Sequence, residues 1–274
     1  MCIFAFEVKI KTVTVMRIRI LCLIFACAFF QSFAKIYPSY PQKQFIIVID
    51  AGHGGKDPGS IGSAPSNMEK DINLAISLEI GRLIENNQPN IKVIYTRKTD
   101  VFVELGRRAQ IANNAKADLF ISVHTNAIDR DPDRQPCGVQ TYTLGLNTVN
   151  TNLEVEKREN SVVKLEKDGE KKYNYSQKAE NDIMFELMQD RDMKESVRFA
   201  KMAQNQMVGY AGRKDMGVRQ ANLLVLRQTY MPSVLIEVGF ISTDSEETYL
   251  MSKDGRNKIA LAIYKAIVQY VKSI

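Results

Sequence analysis

Cysteine, histidine and tryptophan are scarce in this 274-residue chain, which has four, two and none of them. Cys2, Cys22 and Cys27 fall within the first 34 residues, so Cys137 would stand alone in a mature chain beginning near Lys35. A lone cysteine excludes an internal disulfide in that mature chain. It also excludes the paired-cysteine pattern of structural zinc sites.

Net positive charge is low as well. The formal charge is +6, and the first 34 residues contribute +3 of it through four basic residues and one acidic residue. A nucleic-acid binder needs a concentrated basic face, and the sequence contains no zinc-finger, helix-turn-helix or RNA-binding signature. We therefore expect no nucleic-acid partner.

The N-terminal apolar run covers residues 20–30, about 11 residues, which is short of the roughly 20 that a membrane-spanning helix needs. Two arginines precede the run after Met16, and a small-x-small pattern ends at Ala34. This order is typical of a secretory signal peptide. It predicts a signal peptide over residues 1–34, with Met16 as a candidate initiator, and a short leader over residues 35–44.

Export of the chain and cleavage of that peptide would place the protein in the periplasm or cell envelope without a membrane attachment. An uncleaved anchor is the alternative. Lipid attachment at Cys27 is disfavoured, because Phe25 stands where a small residue is expected.

Apolar runs alternate with segments of helical periodicity in the rest of the chain. The predicted strands are residues 45–50, 91–97, 119–123, 139–144, 223–226 and 233–240, and the main predicted helices are residues 67–87, 103–115, 197–207 and 254–272. This alternation predicts one α/β domain over residues 45–274, with a twisted, mostly parallel mixed sheet of about six strands and helices on both faces.

The segment from Thr151 to Ser196 differs sharply in composition, with 9 basic and 12 acidic residues in 46. A charged excursion of this length is unusual within a compact domain and indicates an insertion with a function of its own. The rest of the mature chain then carries 24 basic and 18 acidic residues, a balance that suits an acidic polymer as substrate.

Both histidines, His53 and His124, stand at or just beyond the C-terminal end of an apolar predicted strand. Ligands of open α/β sheets collect at the carboxyl ends of the strands, so we expect the two side chains to converge. The alternative is that they are unrelated loop residues, which does not explain why every histidine occupies an equivalent position.

A catalytic zinc site needs about three protein ligands and one open position, so with two histidines the third ligand should be a carboxylate. Glu69 is the best candidate because it opens the first predicted helix, although a glutamate there can simply favour the helix dipole. Asp57 is the rival. The Asp57-Pro58-Gly59 sequence looks more like a turn, in which the aspartate bonds the backbone.

Glu237 is a lone carboxylate in an apolar predicted strand. A buried charge needs a partner or a site, and beside a metal it would serve as general acid and base. The alternative is a structural ion pair with an arginine such as Arg219 or Arg227. Ser122 and Ser233 lack the setting of a serine nucleophile.

Four motifs together resemble the zinc-dependent N-acetylmuramoyl-L-alanine amidases of the cell-division type: IVIDAGHGGKDPG, MEKD, SVHTNA and PSVLIEVGFIS. The resemblance covers residues 45–272. It implies one Zn²⁺ per chain held by His53, Glu69 and His124, and Glu237 as the catalytic acid and base. It further implies a six-stranded sheet and cleavage of the amide between muramic acid and L-alanine in peptidoglycan, for wall remodelling and daughter-cell separation.

In regulated members of that family an insertion covers the zinc with a helix and a carboxylate. The resemblance therefore implies a regulatory role for residues 151–196, with Glu166, Glu180 and Glu186 as candidate carboxylates. The apolar residues 183–185 would offer a face to an activator protein. A constitutively open, solvated loop is the alternative.

Two other functions remain open from the sequence. A zinc peptidase could cut bonds within the stem peptides of peptidoglycan, because activated water attacks any suitably placed amide. A non-catalytic peptidoglycan-binding protein could use the same cleft, although the presence of Glu237 argues against it.

Overall fold

The computed structural model describes residues 44–130, 133, 135–145, 152–173 and 183–274, without the side chains of residues 183–191. The predicted signal peptide and all but the last residue of the predicted leader lie outside these ranges. Residues 44–274 form one compact unit. No helix in the described ranges combines the length and hydropathy that crossing a membrane requires.

A six-stranded sheet in the described residues carries the fold, in the order β2-β1-β3-β6-β4-β5. Its strands are β1 (Phe45–Ala51), β2 (Ile91–Tyr95), β3 (Leu119–Asn126), β4 (Val139–Leu144), β5 (Asp215–Ala221) and β6 (Ser233–Phe240). All neighbouring strands are parallel except β4 and β6, which are antiparallel. The predicted α/β class with a mostly parallel mixed sheet is confirmed.

Helices cover both faces of the sheet. They are α1 (Glu69–Asn87), α2 (Leu105–Asn114), α3 (Leu153–Asn160), α4 (Gly169–Lys172), α5 (Ile183–Gly209), α6 (Leu224–Arg227), α7 (Asp244–Met251) and α8 (Lys253–Val271). Helices α1, α5 and α8 pack on one face, and α2, α3 and α6 pack on the other. The described residues of the charged segment 151–196 are mostly helical and form α3, a 3₁₀ turn (Ser161–Leu165), α4 and the first half of α5.

The core has two layers because alternate strand residues face opposite sides of the sheet. Ile47 and Ile49 of β1 pack against the isoleucines of α1, whereas Val48 packs into the layer that contains Leu105. Full burial of an aliphatic side chain of this size stabilises the fold by about 1.5–3 kcal/mol. The two layers fix β1, β3 and β6 firmly, and these strands carry the site.

One predicted strand is wrong. Residues 223–226 are the N-cap and first three residues of the short helix α6, and the edge strand is Asp215–Ala221 instead. A run of four apolar residues does not distinguish a buried strand from a buried helix. The true strand is mostly half-exposed and carries polar residues and a glycine at positive φ, Gly217, so it lacks an apolar run.

Candidate metal centre

The two histidines meet at the carboxyl ends of neighbouring parallel strands. His53 follows β1 and His124 lies on β3, and their ring centroids are 4.8 Å apart. Both side chains are buried, at 5% and 6% exposure. A Cβ added at Gly52 would overlap the His124 ring, so only glycine lets the His53 loop pass this close.

Glu69 is the first residue of α1 and is fully buried. Its Oε1 lies 3.1 Å from His53 Nε2 and 3.3 Å from His124 Nδ1. The backbone N–H groups of Ser60 and Thr125 donate to the carboxylate at 2.8 and 2.9 Å and fix its orientation. The structure therefore brings together the three residues predicted as metal ligands.

A fourth group, Glu159, enters the cluster from α3. Its Oε2 lies 2.8 Å from His124 Nδ1 and 3.3 Å from His53 Nε2, and the side chain is 4% exposed. Sequence reasoning missed this residue, because nothing distinguishes it from the other acidic residues of the charged segment. Only the docking of α3 on the sheet selects it.

The carboxylates predicted to cover the site are placed differently. Glu166 accepts hydrogen bonds from the Leu105 N–H and the Tyr173 hydroxyl, at 2.7 and 2.9 Å, so it supports the start of α2 and is not the covering group in this structure. The side chains of Glu180, Glu186 and residues 183–185 lie outside the described residues.

The ligand atoms of His53, Glu69, His124 and Glu159 all lie within 4.8 Å of one another. Within the described residues, three of these buried atoms have no hydrogen-bond partner: His53 Nε2, His124 Nδ1 and Glu159 Oε2. Buried polar atoms rarely stay unpaired, because their desolvation costs free energy. Imidazole nitrogens and carboxylate oxygens facing a common point are the donor set that zinc prefers, so the residues fit a metal ion.

Asp57 lies behind His53, on the opposite side of the ring from the cluster. Its Oδ2 is 2.8 Å from His53 Nδ1, and its Oδ1 accepts a hydrogen bond from the Gly59 N–H. The residue therefore makes the predicted turn and also orients the imidazole, leaving Nε2 to face the cluster. Orienting partners of this kind are usual behind metal-binding histidines.

The carboxylates make the cluster strongly attractive to positive charge. Burial lowers the pKa of His53, but the charge of Glu69 and the contacts with Asp57 and Glu159 outweigh it and hold the pKa well above its ordinary value. Burial also lowers the pKa of His124, but the contacts with Glu159 and Glu69 outweigh burial and raise this pKa to about 9. A bound divalent cation would be stabilised by the same negative charges.

Glu237 lies beside the cluster on β6, in register with His124 of β3 and Gln140 of β4. It is 1% exposed, and its Oε1 accepts a 3.0 Å hydrogen bond from Arg158 Nη2. Burial, reinforced by the charges of Glu159 and Glu69, raises the pKa of Glu237 to about 8, although Arg158 opposes the shift.

The arginine that pairs with Glu237 thus comes from α3. Arg219 and Arg227, the candidates from the sequence, instead donate to Asn152 and Asn222. The Oε2 atom of Glu237 has no partner in the described part of the chain. Within the described residues, one oxygen of this buried carboxylate is therefore hydrogen-bonded and the other is not.

A buried polar network that the sequence did not reveal supports the His53 loop. Arg108 donates to the carbonyl of His53 and to Asp50, and Arg97 donates to the carbonyl of Gly52. Ser122 also donates to Asp50, at 2.6 Å, so this serine has a structural partner and no histidine to activate it.

Comparison with known proteins gives a consistent result. The family model described as N-acetylmuramoyl-L-alanine amidase matches residues 47–269. The N-acetylmuramoyl-L-alanine amidase AmiC of Escherichia coli is 29% identical over 233 residues, which are 83% of this chain and 53% of that protein. The chain thus spans about half the length of this relative.

Two solved structures share the fold. The catalytic domain of CwlV, an N-acetylmuramoyl-L-alanine amidase from Bacillus (Paenibacillus) polymyxa var. colistinus, aligns with a TM-score of 0.62 at 29% identity, over 84% of this chain and 99% of that one. The CwlD amidase from Clostridioides difficile, in complex with the GerS lipoprotein, aligns with a TM-score of 0.62 at 26% identity, over 84% and 100%. The resemblance found in the sequence is confirmed, and the chain belongs to the N-acetylmuramoyl-L-alanine amidase family.

Proposed function

We propose that this protein is a zinc-dependent enzyme that hydrolyses the amide bond between N-acetylmuramic acid and L-alanine in peptidoglycan. The observation that carries the proposal is the convergence of His53, Glu69 and His124, with unpaired nitrogens, beside the buried carboxylate of Glu237. One zinc ion per chain would be held by these three residues. Membership of the amidase family supports the choice of substrate.

Zinc bound there would polarise the amide carbonyl and acidify the attacking water. Glu237 would accept the proton from that water and deliver it to the leaving nitrogen of L-alanine, which cannot depart as an anion. Burial raises the pKa of Glu237, which favours the protonated carboxyl that delivers the proton to the nitrogen. The Oε2 atom of Glu237 has no partner in the described residues and is free to take part.

Mass spectrometry of digested peptidoglycan tests the proposal. An amidase releases intact stem peptides and leaves glycan chains free of peptide, whereas a zinc peptidase shortens the stems. A protein that only binds the wall releases neither product. Shortened stems, or no release by a zinc-loaded preparation with Glu159→Ala, which removes a carboxylate that closes the cluster, would contradict the proposed reaction.

The signal pattern of residues 1–34 and a substrate outside the cytoplasmic membrane support export to the periplasm or cell envelope. There the activity would serve wall remodelling and the separation of daughter cells. Detection of the processed chain in the envelope fraction, with an N-terminus near Lys35, tests this placement.

Helix α3 closes the site in this structure, and we infer that it is self-inhibitory. Glu159 takes up the side of the cluster that a catalytic zinc must leave open for water. Arg158, the preceding residue, binds Glu237 and also donates to Asn126 and Ala127. One turn of helix therefore blocks both the metal side and the acid-base side of the site.

Release of α3 would require another molecule, since the helix is docked by several contacts. Asn152 donates to the carbonyl of Gln220, and Glu156 accepts from the Asn222 N–H. We propose that an activator protein acts on the segment 151–196. The lipoprotein bound to the structurally similar CwlD amidase supports the idea that a partner protein can act on a domain of this fold.

A further inference from the structure

A cavity of about 380 Å³ is lined by residues of all three strands that follow β3 in the sheet order, and by residues of β3 and α3. Most of its strand residues belong to β6, β4 and β5, so it extends away from His53, which follows β1. The lining includes Asn126, Gln140, Tyr142, Arg158, Met216 and Arg219. Gln140 is the register partner of Glu237 and Arg158 donates to it, so the cavity and the acid-base group are immediate neighbours.

The proposed reaction fixes which part of the substrate lies there; this step rests on the proposed function. The proton carried by Glu237 goes to the leaving nitrogen, so that nitrogen must face Glu237. The acyl carbon lies on the other side, toward His53 and His124 on β1 and β3. The peptide attached to the nitrogen then continues past Glu237, over β4 and β5, into the cavity.

Arg219 gives this cavity its charge. It lies on β5 opposite Tyr142, and among the described residues its guanidinium makes two long bonds, 3.4 Å each, to the Met216 carbonyl and to Asn152 Oδ1. No carboxylate within the described ranges forms an ion pair with it. A half-buried guanidinium held this loosely is suited to an anionic ligand, because its fork matches a carboxylate.

The floor of the cavity is built by the sheet and does not depend on α3. Tyr142 and Asn126 both donate to Gln140 Oε1, at 3.0 and 3.1 Å, which holds these side chains in place. The acidic lining residue Glu154 and the cation Arg158 both belong to α3. When α3 leaves, Glu154, Arg158 and the contact from Asn152 leave with it, and Arg219 remains as the cation of an open groove.

We propose that this groove is the stem-peptide subsite, in which Arg219 binds a carboxylate of the peptide close to the scissile nitrogen. The subsite would make the enzyme prefer peptides whose carboxylates are free over peptides in which they are amidated. Arg219 would thus be a specificity-determining residue, without a part in proton transfer.

Titration calorimetry with two synthetic stem peptides tests the subsite. One peptide has free carboxylates, and the other carries amides in their place. Both are titrated into the full-length, zinc-loaded chain with Glu159→Ala, which weakens the hold of α3. We expect the free acid to bind about 10-fold more tightly or better, the range for a hydrogen bond between charged groups. Arg219→Ala should remove most of that preference, and Arg219→Lys should keep part of it.

Arg82→Ala is the matched control, because Arg82 is exposed on α1 and pairs with Glu79. It should leave the preference unchanged. A preference that depends on zinc alone would persist in Arg219→Ala and would overturn the proposal, as would equal affinities in the parent protein. If Arg219→Ala proves unfolded by circular dichroism, the comparison rests on Arg219→Lys, which retains the charge but not the fork.

The same preparations separate this proposal from the proposed function. If the protein cleaves the muramoyl–alanine bond with equal kcat/KM for free and amidated muramoyl peptides, the proposed reaction is supported and the proposed subsite is contradicted. An Arg219-dependent preference in binding without any cleavage would keep the subsite and remove the reaction. If neither peptide binds and kcat/KM does not discriminate, the subsite is wrong.

Discussion

His53 is held in place by charged residues that never touch the metal cluster. Its carbonyl accepts from Arg108 Nη2 at 2.9 Å, and the carbonyl of Gly52 accepts from Arg97 Nη2 at 2.8 Å. Asp50 neutralises Arg108 through a 2.7 Å ion pair in which both side chains are almost fully buried. The position of His53, the first predicted ligand, therefore depends on the buried ion pair between Asp50 of β1 and Arg108.

Asp50→Asn should be strongly destabilising. Burial raises the pKa of Asp50, but Arg108 and the hydroxyls of Ser122 and Thr96 outweigh burial, so the pKa lies below its ordinary value in the folded protein. A lowered folded-state pKa contributes stability above the unfolded-state pKa, and this contribution is lost as the pH falls through the folded-state pKa. Removing the charge leaves Arg108 buried without a counter-ion, a loss of about 3–5 kcal/mol at neutral pH.

Urea unfolding of both proteins between pH 7 and pH 3 measures this effect. The gap between the wild type and Asp50→Asn should be widest at neutral pH and should begin to narrow at the acid end, where the unfolded wild-type chain binds a proton at Asp50 that the folded chain does not. Glu79→Gln is the control, since Glu79 forms an exposed pair with Arg82 and should change little. A gap that is small at pH 7, or constant across the range, would contradict the assignment.

Glu237→Gln should retain the fold and bound zinc while hydrolysis falls by about 100-fold or more, the usual scale for a positioned acid or base. The amide oxygen can still accept from Arg158, so α3 has no reason to move. Peptidoglycan release and zinc content are measured on one preparation. Near-normal activity in that variant would mean that another group handles the proton.

Four of the site residues could be predicted from their local sequence context. His53 and His124 end apolar strands, Glu69 opens a helix, and Glu237 interrupts a buried strand. Glu159 and Arg158 break no pattern, because charged neighbours surround them in the segment 151–196. Their role depends on the long-range docking of α3, which composition and periodicity do not encode.

At the scale of elements, α3 has little stability of its own. It has eight residues, and an isolated helix of that length is marginal in water. Its position depends on polar anchors, on the burial of its own Val155 and of Val162 in the following 3₁₀ turn, and on the contacts that Glu159 and Arg158 make with the site. Weakening those contacts should open the site without unfolding the sheet.

Glu159→Ala and Arg158→Ala should therefore each raise peptidoglycan hydrolysis several-fold at equal zinc content. Both residues lie in the last turn of α3, and each substitution removes one of the contacts that close the site. Lys157→Ala is the matched control, because Lys157 is exposed on the same helix. Hydrogen exchange of the α3 amides should quicken in the two active variants and not in the control. Unchanged exchange together with unchanged activity would mean that α3 does not restrain the enzyme.

The edge of the sheet shows where element prediction fails. Buried strands such as β3 and β6 are visible in the sequence because both faces are covered and each strand contains a mostly apolar run. Strand β5 lies at the edge with most of its residues half-exposed, so its sequence follows no such rule. Arg219 lies on this strand. Because the strand itself could not be predicted, the proposed peptide subsite could not be predicted either.

At the scale of the whole molecule, the cluster joins parts that are distant in sequence. His53 follows β1, Glu69 opens α1, His124 lies on β3 and Glu159 comes from the charged segment. Without a cation, the cluster holds two buried carboxylates against two imidazoles, and three of its atoms have no hydrogen-bond partner in the described residues. Metal binding to the folded state alone should then stabilise the entire domain.

Zinc should accordingly raise the thermal unfolding temperature, and a chelator should reverse the change. At a free zinc concentration 100 times the Kd, the stabilisation is about 2.7 kcal/mol, which corresponds to a rise of about 5–10 °C for a domain of this size. The double variant His53→Ala/His124→Ala should bind no zinc by atomic absorption and show no shift. Equal shifts in the two proteins would place the metal elsewhere, whereas one equivalent of zinc and a shift in the wild type alone would place it between the strand ends.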